Sequence, residues 1–232
     1  MIEIKEYTTK VPLQMIGDLA GICWEADTSD SMKNIKRAWD CIESGHDRTE
    51  EFPDVYMVIT GYSAKCLREL YTHIGGAPTR LQASTRYIDY AKGFETLMPP
   101  TIAKDEKASK VWEKTVKDIS KGMNKLKELG IPKEDYTELL PLAYRSKMVW
   151  KVNLRTLIHF MQKRKCSRAY WEIRVLCDEL SNALIQYSSE WEAIVRDLFV
   201  PECEALGYCR ESKSCGRKPK KEDVIKPKTK LK

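Results

Sequence analysis

Closely spaced arginine and short polar side chains are the residues of this chain best suited to bind a charged ligand. In residues 80–90, Gln82, Ser84 and Arg86 occupy alternate positions. We expect this segment to be extended, and alternate residues of an extended segment share one face. A serine hydroxyl and a guanidinium on one face both donate hydrogen bonds to phosphate oxygens. The spacing therefore predicts a phosphate site, which Arg80 can join from the same face; the alternative is an exposed strand with an ordinary surface arginine.

A second group of basic and polar side chains lies in the C-terminal half. Apolar residues at helical spacing predict a helix from Leu154 to Arg164, with Arg164 at the end of the buried face, where a charge requires a partner. Arg155 and His159 are four residues apart on an adjacent face, and Asn153 stands at the capping position. The alternatives are a plain helix cap, a core histidine with satisfied hydrogen bonds, and an arginine paired with a carboxylate.

Three short motifs resemble those of the flavin-dependent thymidylate synthases: residues 84–87, 153–155 and 169–173. The similarity runs over about residues 16–216. It implies that reduced FAD carries a methylene group from methylenetetrahydrofolate to carbon 5 of dUMP, with NADPH as reductant. It also implies a homotetramer with sites between subunits, in which the protein supplies orientation and electrostatics rather than a nucleophile.

The resemblance implies roles for individual residues. Ser84 and Arg86 would hold the phosphate of dUMP, and Gln82 falls where the family usually has a glutamate near the nucleotide. Arg164 would be the catalytic residue, because it would contact the uracil and stabilise negative charge as carbon 5 is activated. The positions implied to contact the flavin are His46, His73, Asn153, Arg155, His159 and Arg168.

The chain departs from the family signature at two places. The family motif Arg-His-Arg is replaced by Thr72-His73-Ile74, which removes positive charge near the flavin, and Thr137 stands where a phosphate-binding arginine is usual. Arg80 and Arg145 are candidates to replace that charge. Two further functions therefore stay open: another modification of a pyrimidine nucleotide at carbon 5, such as hydroxymethylation with altered flavin use, and non-catalytic binding of nucleic acid.

Helical spacing dominates the chain, and the few strand candidates are not arranged as regular βαβ units. We expect an α+β fold: a helix-rich domain with a small sheet and long packed helices. Strands are predicted at residues 55–60 and 147–152, and long helices at 104–129 and 167–199. The apolar face of the first long helix includes Val111 and Met123, and Ser31 is the predicted cap of an earlier helix. The apolar faces of these long helices are extensive, so we expect another subunit to cover part of them.

The positive charge is concentrated at the C-terminus. Residues 210–232 carry ten Lys and Arg against three acidic residues, whereas the whole chain is +6, which leaves residues 1–209 near −1. This composition predicts a thymidylate synthase-like domain over residues 1–209 and a basic, disordered tail over 210–232. We expect no nucleic acid partner except through that tail.

The eight cysteines accompany no secretion signal and no run long enough for a membrane span, so we expect a cytosolic protein with reduced thiols. Histidine and cysteine lack metal-site spacing, which predicts no catalytic metal. Zinc binding by Cys203, Cys209 and Cys215 is kept as an alternative to free thiols. No dinucleotide fingerprint is present, so a bound flavin would sit outside a Rossmann fold.

Overall fold

A computed structural model describes residues 1–75 and 78–225. The chain forms two compact units. The first unit comprises Met1, Val58–Thr72 and Arg80–Trp150. The second unit comprises Ile2–Met57, His73–Thr79 and Lys151–Lys232.

Helices and a small sheet alternate irregularly along the described residues. The strands are β1 (Ile2–Ile4), β2 (Asp54–Ser63), β3 (Thr79–Gln82) and β4 (Arg145–Asn153). The first helices are α1 (Pro12–Cys23), α2 (Ser31–Glu43), α3 (Ala64–Leu70), α4 (Pro100–Ala103), α5 (Glu106–Glu128) and α6 (Lys133–Tyr136). The remaining helices are α7 (Leu154–Arg164), α8 (Trp171–Tyr187), α9 (Ser189–Leu198), α10 (Glu202–Leu206) and α11 (Lys221–Val224).

The sheet is antiparallel, with strand order β1-β2-β4-β3. In β2 the buried residues Val55, Met57 and Ile59 alternate with partly exposed ones, and β4 alternates in the same way through Met148 and Trp150. Successive side chains of a strand point to opposite faces, so apolar residues at every second position give each strand one buried face. The predicted α+β class is confirmed, and both predicted strands are present with longer bounds.

The start of α1 depends on a distant carboxylate in the second unit. Oε2 of Glu190 accepts hydrogen bonds from the backbone N–H groups of Leu13 and Gln14, at 2.7 and 3.1 Å. Those groups have no partner within the helix, and a negative charge is favoured at a helix N-terminus. The buried Glu190 therefore fastens α1 to α9.

Two predicted helix boundaries are wrong. The helix expected over 167–199 is divided, because Ser188 is fully extended (φ −162°, ψ 158°) and its hydroxyl caps α9 by accepting from Trp191 N. Asp30, rather than Ser31, caps α2 through the backbone N–H groups of Met32 and Lys33. Serine and aspartate are both common helix caps. The sequence therefore carries a signal for the starts of α2 and α9, but the wrong residues were chosen.

The long helix α5 is confirmed, but its apolar face is only partly covered within the described chain. Met123 is fully buried in the core of the first unit, together with Tyr90, Tyr136 and Tyr144. Val111, on the same predicted face, is 67% exposed. The helix therefore joins the core mainly through its C-terminal half.

The C-terminal segment is partly described. Residues 210–225 lie within the described range, and Cys209 forms a parallel bridge with Lys220 shortly before α11. Residues 226–232 of the predicted tail lie outside the described residues. Among the helices that are described, none is both long and apolar enough to cross a bilayer.

At Gly17 the backbones of α1 and α2 approach each other closely. A Cβ at Gly17 would lie 1.8 Å from the backbone oxygen of Asn34, so a methyl group there forces the two helices apart. At Gly122 in α5, the nearest atom to an added Cβ is Cδ1 of Leu139, at 3.8 Å.

We expect Gly17→Ala to lower the free energy of unfolding by about 3 kcal/mol or more, because overpacked backbone must move. The matched variant Gly122→Ala should leave stability unchanged or raise it by about 1 kcal/mol, since alanine has the higher helix propensity. Urea unfolding of both variants tests this. Equal stability of the two variants would contradict the close approach of α1 and α2.

Candidate functional site

The segment that holds Ser84 and Arg86 is a turn rather than a strand. Strand β3 ends at Gln82, and the backbone N–H of Ile88 donates to the oxygen of Ser84 at 3.1 Å. The prediction of an extended segment over 80–90 is therefore wrong beyond residue 82. It fails because the Ser84 hydroxyl accepts from the backbone N–H of Arg86 (3.2 Å), a local bond that competes with strand pairing.

The turn still keeps the predicted serine and arginine together. Gln82 is directed differently, since its Nε2 lies 3.4 Å from Oγ of Ser146 on β4. The common face predicted for Gln82, Ser84 and Arg86 is thus not formed by strand alternation. Ser84 and Arg86 are neighbours through the turn, and their proposed phosphate contacts stay a prediction.

The side chain of Arg86 is 71% exposed and pairs with Glu134 at 2.9 Å. An exposed ion pair contributes little to stability, so a ligand anion can compete for the guanidinium. The next residues are held by α6: Nζ of Lys133 donates to the oxygen of Tyr87 at 3.1 Å. Sequence reasoning missed Lys133, whose charge lies beside the Ser84–Arg86 turn. Pro132 predicts the start of a helix, which would have placed the side chain of Lys133 at the first turn of that helix.

Thr137 takes a structural role at the position where an arginine is usual. It is buried, and its hydroxyl approaches the backbone oxygens of Thr85, Lys133 and Glu134. These contacts fasten the Ser84–Arg86 turn to α6 but supply no charge. Lys133, whose Nζ donates to the oxygen of Tyr87 next to the turn, is a candidate replacement for that charge.

Asp89 anchors the far end of the same turn. Hydrogen bonds from Lys127, and next from Tyr136, lower the pKa of the Asp89 carboxyl to about 2. The two contacts measure 2.6 and 2.9 Å. Because Lys127 lies in α5 and Tyr136 in α6, the turn is held to two helices of the first unit.

The two arginines considered as replacements are engaged elsewhere in the first unit. The guanidinium of Arg80 stacks over the ring of Tyr71, with 5.0 Å between its central carbon and the ring centroid. Arg145 lies 3.7 Å from a carboxylate oxygen of Glu95. Burial lowers the pKa of the Arg80 guanidinium. Each arginine therefore has a local contact that a ligand would have to compete with.

In the second unit, α7 has the predicted bounds and brings three predicted residues together. Nε of Arg164 donates to Nε2 of His73 at 3.0 Å. The His73 ring meets those of His159 and Phe160 edge-on, with centroids 5.8 and 5.0 Å apart. We call His73, His159, Phe160 and Arg164 the histidine–arginine cluster.

The histidine–arginine cluster combines ring surfaces with a guanidinium, the groups that suit a planar heterocycle bearing carbonyl oxygens. Since Nε2 of the buried His73 accepts a hydrogen bond, its proton is assigned to Nδ1. The hydroxyl of Thr156 donates to the oxygen of Gly75, which ties the segment after His73 to α7. The cluster is thus built from one helix and one connecting segment of the same unit.

Asn153 and Arg155 are both engaged at the start of α7. Oδ1 of Asn153 accepts from the backbone N–H of Thr156 at 2.9 Å, which confirms the capping role. The guanidinium of Arg155 is clamped between carboxylates of Asp47 and Glu51. Those two residues belong to the 3₁₀ turn that follows His46, so Arg155 lies beside the residues next to His46.

Arg168 is directed towards the C-terminal segment. Its Nη1 lies 3.2 Å from Oε2 of Glu211 and 3.3 Å from the backbone oxygen of Lys213. Its predicted flavin contact stays a prediction.

Glu50 is a titratable residue that sequence reasoning missed. It lies in the 3₁₀ turn Asp47–Glu51 and is only 7% exposed. Burial, and to a smaller extent the charge of Asp47, raises the pKa of Glu50 to about 7, against the attraction of Arg155. No signal separates Glu50 from Glu51 in the sequence, because only the geometry of the turn decides which glutamate faces inward.

In residues 1–75 and 78–225, no three His, Cys, Asp or Glu side chains are grouped so as to hold a metal ion. The expectation of no catalytic metal stays a prediction.

Comparison with known proteins agrees with the motifs. The family model described as thymidylate synthase complementing protein matches residues 5–187. A flavin-dependent thymidylate synthase of Nitratidesulfovibrio vulgaris is 31% identical over 196 residues, which are 79% of this chain and 76% of that protein.

Two solved structures share the fold. ThyX of Helicobacter pylori, with FAD and dUMP, has a TM-score of 0.64 at 20% identity and covers 86% of this chain and 99% of its own. The UMP/dUMP methylase PolB of Streptomyces cacaoi, bound with 5-Br dUMP, has a TM-score of 0.67 at 15% identity and covers 86% and 96%. At these identities the likeness concerns the fold alone.

Glu50 makes stability depend on pH in a defined direction. Its carboxyl is protonated below pH 4.5 in the folded and unfolded chains, but between pH 4.5 and about 7 only the folded chain keeps the proton. The stability that this proton contributes is therefore present below pH 4.5 and lost as the pH rises through about 7, to a total of about 3 kcal/mol.

We expect Glu50→Gln to gain about 3 kcal/mol relative to the wild type between pH 4.5 and about 8, because glutamine does not ionise. Urea unfolding of both proteins across that range measures the difference. Glu43→Gln, at an exposed glutamate of the same unit, controls for the loss of one charge. Parallel pH profiles of Glu50→Gln and the wild type would contradict the raised pKa.

Proposed function

Because the chain belongs to the thymidylate synthase complementing protein family, we propose that it is a flavin-dependent thymidylate synthase. It transfers a one-carbon unit from methylenetetrahydrofolate to carbon 5 of dUMP through FAD, with NADPH as reductant. The observation that carries this proposal is the family match over residues 5–187, which spans every site residue predicted from the motifs. The N. vulgaris relative bears the same functional name at 31% identity.

The histidine–arginine cluster fits the ring system that this reaction needs. Bound FAD would supply the carrier for the one-carbon unit and for the reducing equivalents. The edges and faces of His73, His159 and Phe160 suit an aromatic heterocycle, and the guanidinium of Arg164 suits its carbonyl oxygens. We assign Arg164 to the uracil, where a fixed positive charge stabilises the negative charge that develops when carbon 5 is activated.

The Ser84–Arg86 turn is the proposed phosphate site. Arg86 contributes a forked donor, Ser84 a hydroxyl, and Lys133 a second positive charge close to Tyr87. A phosphate would displace Glu134 from Arg86, an exchange that costs little because the pair is exposed. The turn is held by α5 and α6, so its donors need little reorganisation on binding.

Arg155 and His46 are also proposed to contact the flavin, and both lie next to the 3₁₀ turn Asp47–Glu51. The carboxylates of Asp47 and Glu51 hold Arg155, so a flavin phosphate would have to share or replace them. Asn153 acts through the cap of α7, which orients the first turn of that helix.

A second candidate function rests on Thr72 and Ile74. These residues replace two arginines of the Arg-His-Arg signature, and Ile74 is 74% exposed. A protein with less positive charge there would bind FAD more weakly, which favours a different carbon-5 modification of a pyrimidine nucleotide. Nucleic acid binding has weaker support, because Arg210 and Arg217 of the basic segment pair with Glu202 and Glu204.

We also propose a homotetramer. Val111 of α5 is 67% exposed. Trp112 and Val116 of the same helix line a groove with Met98, together with the polar Thr96, Glu113, Lys117 and Ser120. A second copy would cover this face. The cytosolic location stays a prediction.

The proposed function is tested by adding FAD, NADPH and dUMP to the purified protein. We expect a flavin spectrum that NADPH bleaches, and formation of dTMP when methylenetetrahydrofolate is added. Arg164→Ala should lower turnover more than dUMP affinity, because Arg164 acts on charge that develops in the transition state. Protein that binds dUMP but neither binds FAD nor forms dTMP would favour the second candidate function.

We expect Arg86→Ala to weaken dUMP binding by about 1.5–3 kcal/mol, the worth of a charge-assisted hydrogen bond. Isothermal titration measures this change. Arg196→Ala is a matched control, because Arg196 is 72% exposed and pairs with Glu192 at 2.8 Å, much as Arg86 pairs with Glu134. The same affinity in both variants would remove Arg86 from the phosphate site.

A further inference from the structure

Half of the cysteines line one cavity in the second unit. The cavity has a volume of about 40 Å³ and lies where the end of α7, α10 and residues 207–217 meet. We call residues 207–217 the C-terminal loop. The cysteines that line the cavity are Cys166, Cys203, Cys209 and Cys215, out of eight in the chain.

Cys203 interacts electrostatically with each of the other three cavity thiols. Burial raises the pKa of Cys203, the charge of Arg217 lowers it, and the charges of Cys209, Cys166 and Cys215 raise it by smaller amounts. All four are free thiols: Cys209 is buried, Cys166 and Cys203 are half-buried, and Cys215 is exposed. Cys203 is thus a shared neighbour of the other three, and Cys215 is the thiol that solvent reaches most readily.

Cys215 differs from the other three in its hydrogen bonds. The hydroxyl of Ser167 and the backbone N–H of Arg217 donate to its sulfur, and these bonds lower its pKa. The cavity is also lined by basic side chains (Lys163, Arg168, Arg210, Lys213 and Arg217) and by the acidic Glu202 and Glu211. Among these charges, Arg217 also lowers the pKa of Cys215. Donors and positive charges favour the thiolate, which is the nucleophilic form of cysteine.

Apart from the backbone bridge between Cys209 and Lys220, the C-terminal loop is held by few buried contacts. Cys209 is its only buried residue, and the loop is fastened by pairs of partly exposed charges such as Arg168–Glu211 and Arg210–Glu202, both at 3.2 Å. Exposed ion pairs contribute little to stability. A covalent bond inside the cavity would therefore change how firmly this loop is held.

We propose that this cavity is an oxidative modification site, in which a hydroperoxide oxidises Cys215 and Cys203 then closes a disulfide with it. The Cys215 thiolate attacks the hydroperoxide, the O–O bond breaks, and Cys215 becomes a sulfenic acid while water or an alcohol leaves. The Cys203 thiolate attacks that sulfur, the S–S bond forms, the S–O bond breaks, and the leaving hydroxide takes up a proton. Two thiols are oxidised and one hydroperoxide is reduced.

The test uses the full-length reduced protein and limiting hydrogen peroxide. We expect the count of free thiols to fall from eight to six. After the remaining thiols are alkylated, digestion with trypsin and a glutamate-specific protease separates Cys203 from Cys209, since Glu204 lies between them. Mass spectrometry should then find Cys215 linked to Cys203, and a thiol reductant should remove the link.

Cys23 provides the matched control, because it is exposed but does not line the cavity. Cys23→Ser should leave the disulfide unchanged, whereas Cys215→Ser should abolish it. In the unmodified protein, a short exposure to a thiol-alkylating reagent should label Cys215 faster than Cys23. This measurement does not depend on the folding of any variant.

Three outcomes would overturn the proposal. One is equal or faster labelling of Cys23. A second is oxidation of Cys215 to the sulfinic acid without a disulfide to Cys203. The third is a stoichiometric zinc ion in the purified protein that protects the cavity thiols from alkylation, because those thiols would then be metal ligands.

Discussion

The hydrogen bond from Arg164 to His73 is the interaction around which the second unit's candidate site is arranged. Arg164 ends the buried face of α7, where an unsatisfied guanidinium would be costly. Its Nε donates to an imidazole nitrogen, so the positive charge of the guanidinium lies beside ring surfaces. The ring of His73 is itself fixed by Phe160 and His159. Packing of α7 thereby sets the direction of the guanidinium.

Charged side chains are handled in two different ways in this protein. Arg86 and Arg155 are partly exposed and paired with carboxylates, which a phosphate can replace at small cost. Glu50 and Glu190 are both buried. Glu190 holds the N-terminus of α1 by hydrogen bonds, whereas burial makes Glu50 keep its proton to higher pH. The exposed pairs contribute little to stability, whereas the buried groups serve the fold or its pH response.

The C-terminal loop follows neither pattern. Its buried surface is one cysteine, and its charges pair at the surface, so its position relies on contacts that are individually weak. Four thiols are placed around the same small cavity. A loop of this kind can be strengthened only by a bond that does not depend on apolar area, since it has little such area to bury.

Motif and period were sufficient for much of the fold. The helix Leu154–Arg164, the cap at Asn153 and the strands around Val55 and Met148 follow from local spacing, because helices and strands each impose one repeat on buried residues. The same spacing misled at Ser188, where a cap inside a continuous apolar repeat divides one expected helix into two.

The sequence by itself determined the family, the fold class and which segments carry the basic and polar residues. Only the tertiary structure decided that Ser84 and Arg86 meet through a turn, that Glu50 rather than Glu51 is buried, and that Arg164 bonds to His73. The physical reason is that local periods depend on neighbours in the chain. The partner of a charged side chain is set by which residue from a distant part of the chain lies close to it, and no periodic pattern in the sequence encodes such a contact.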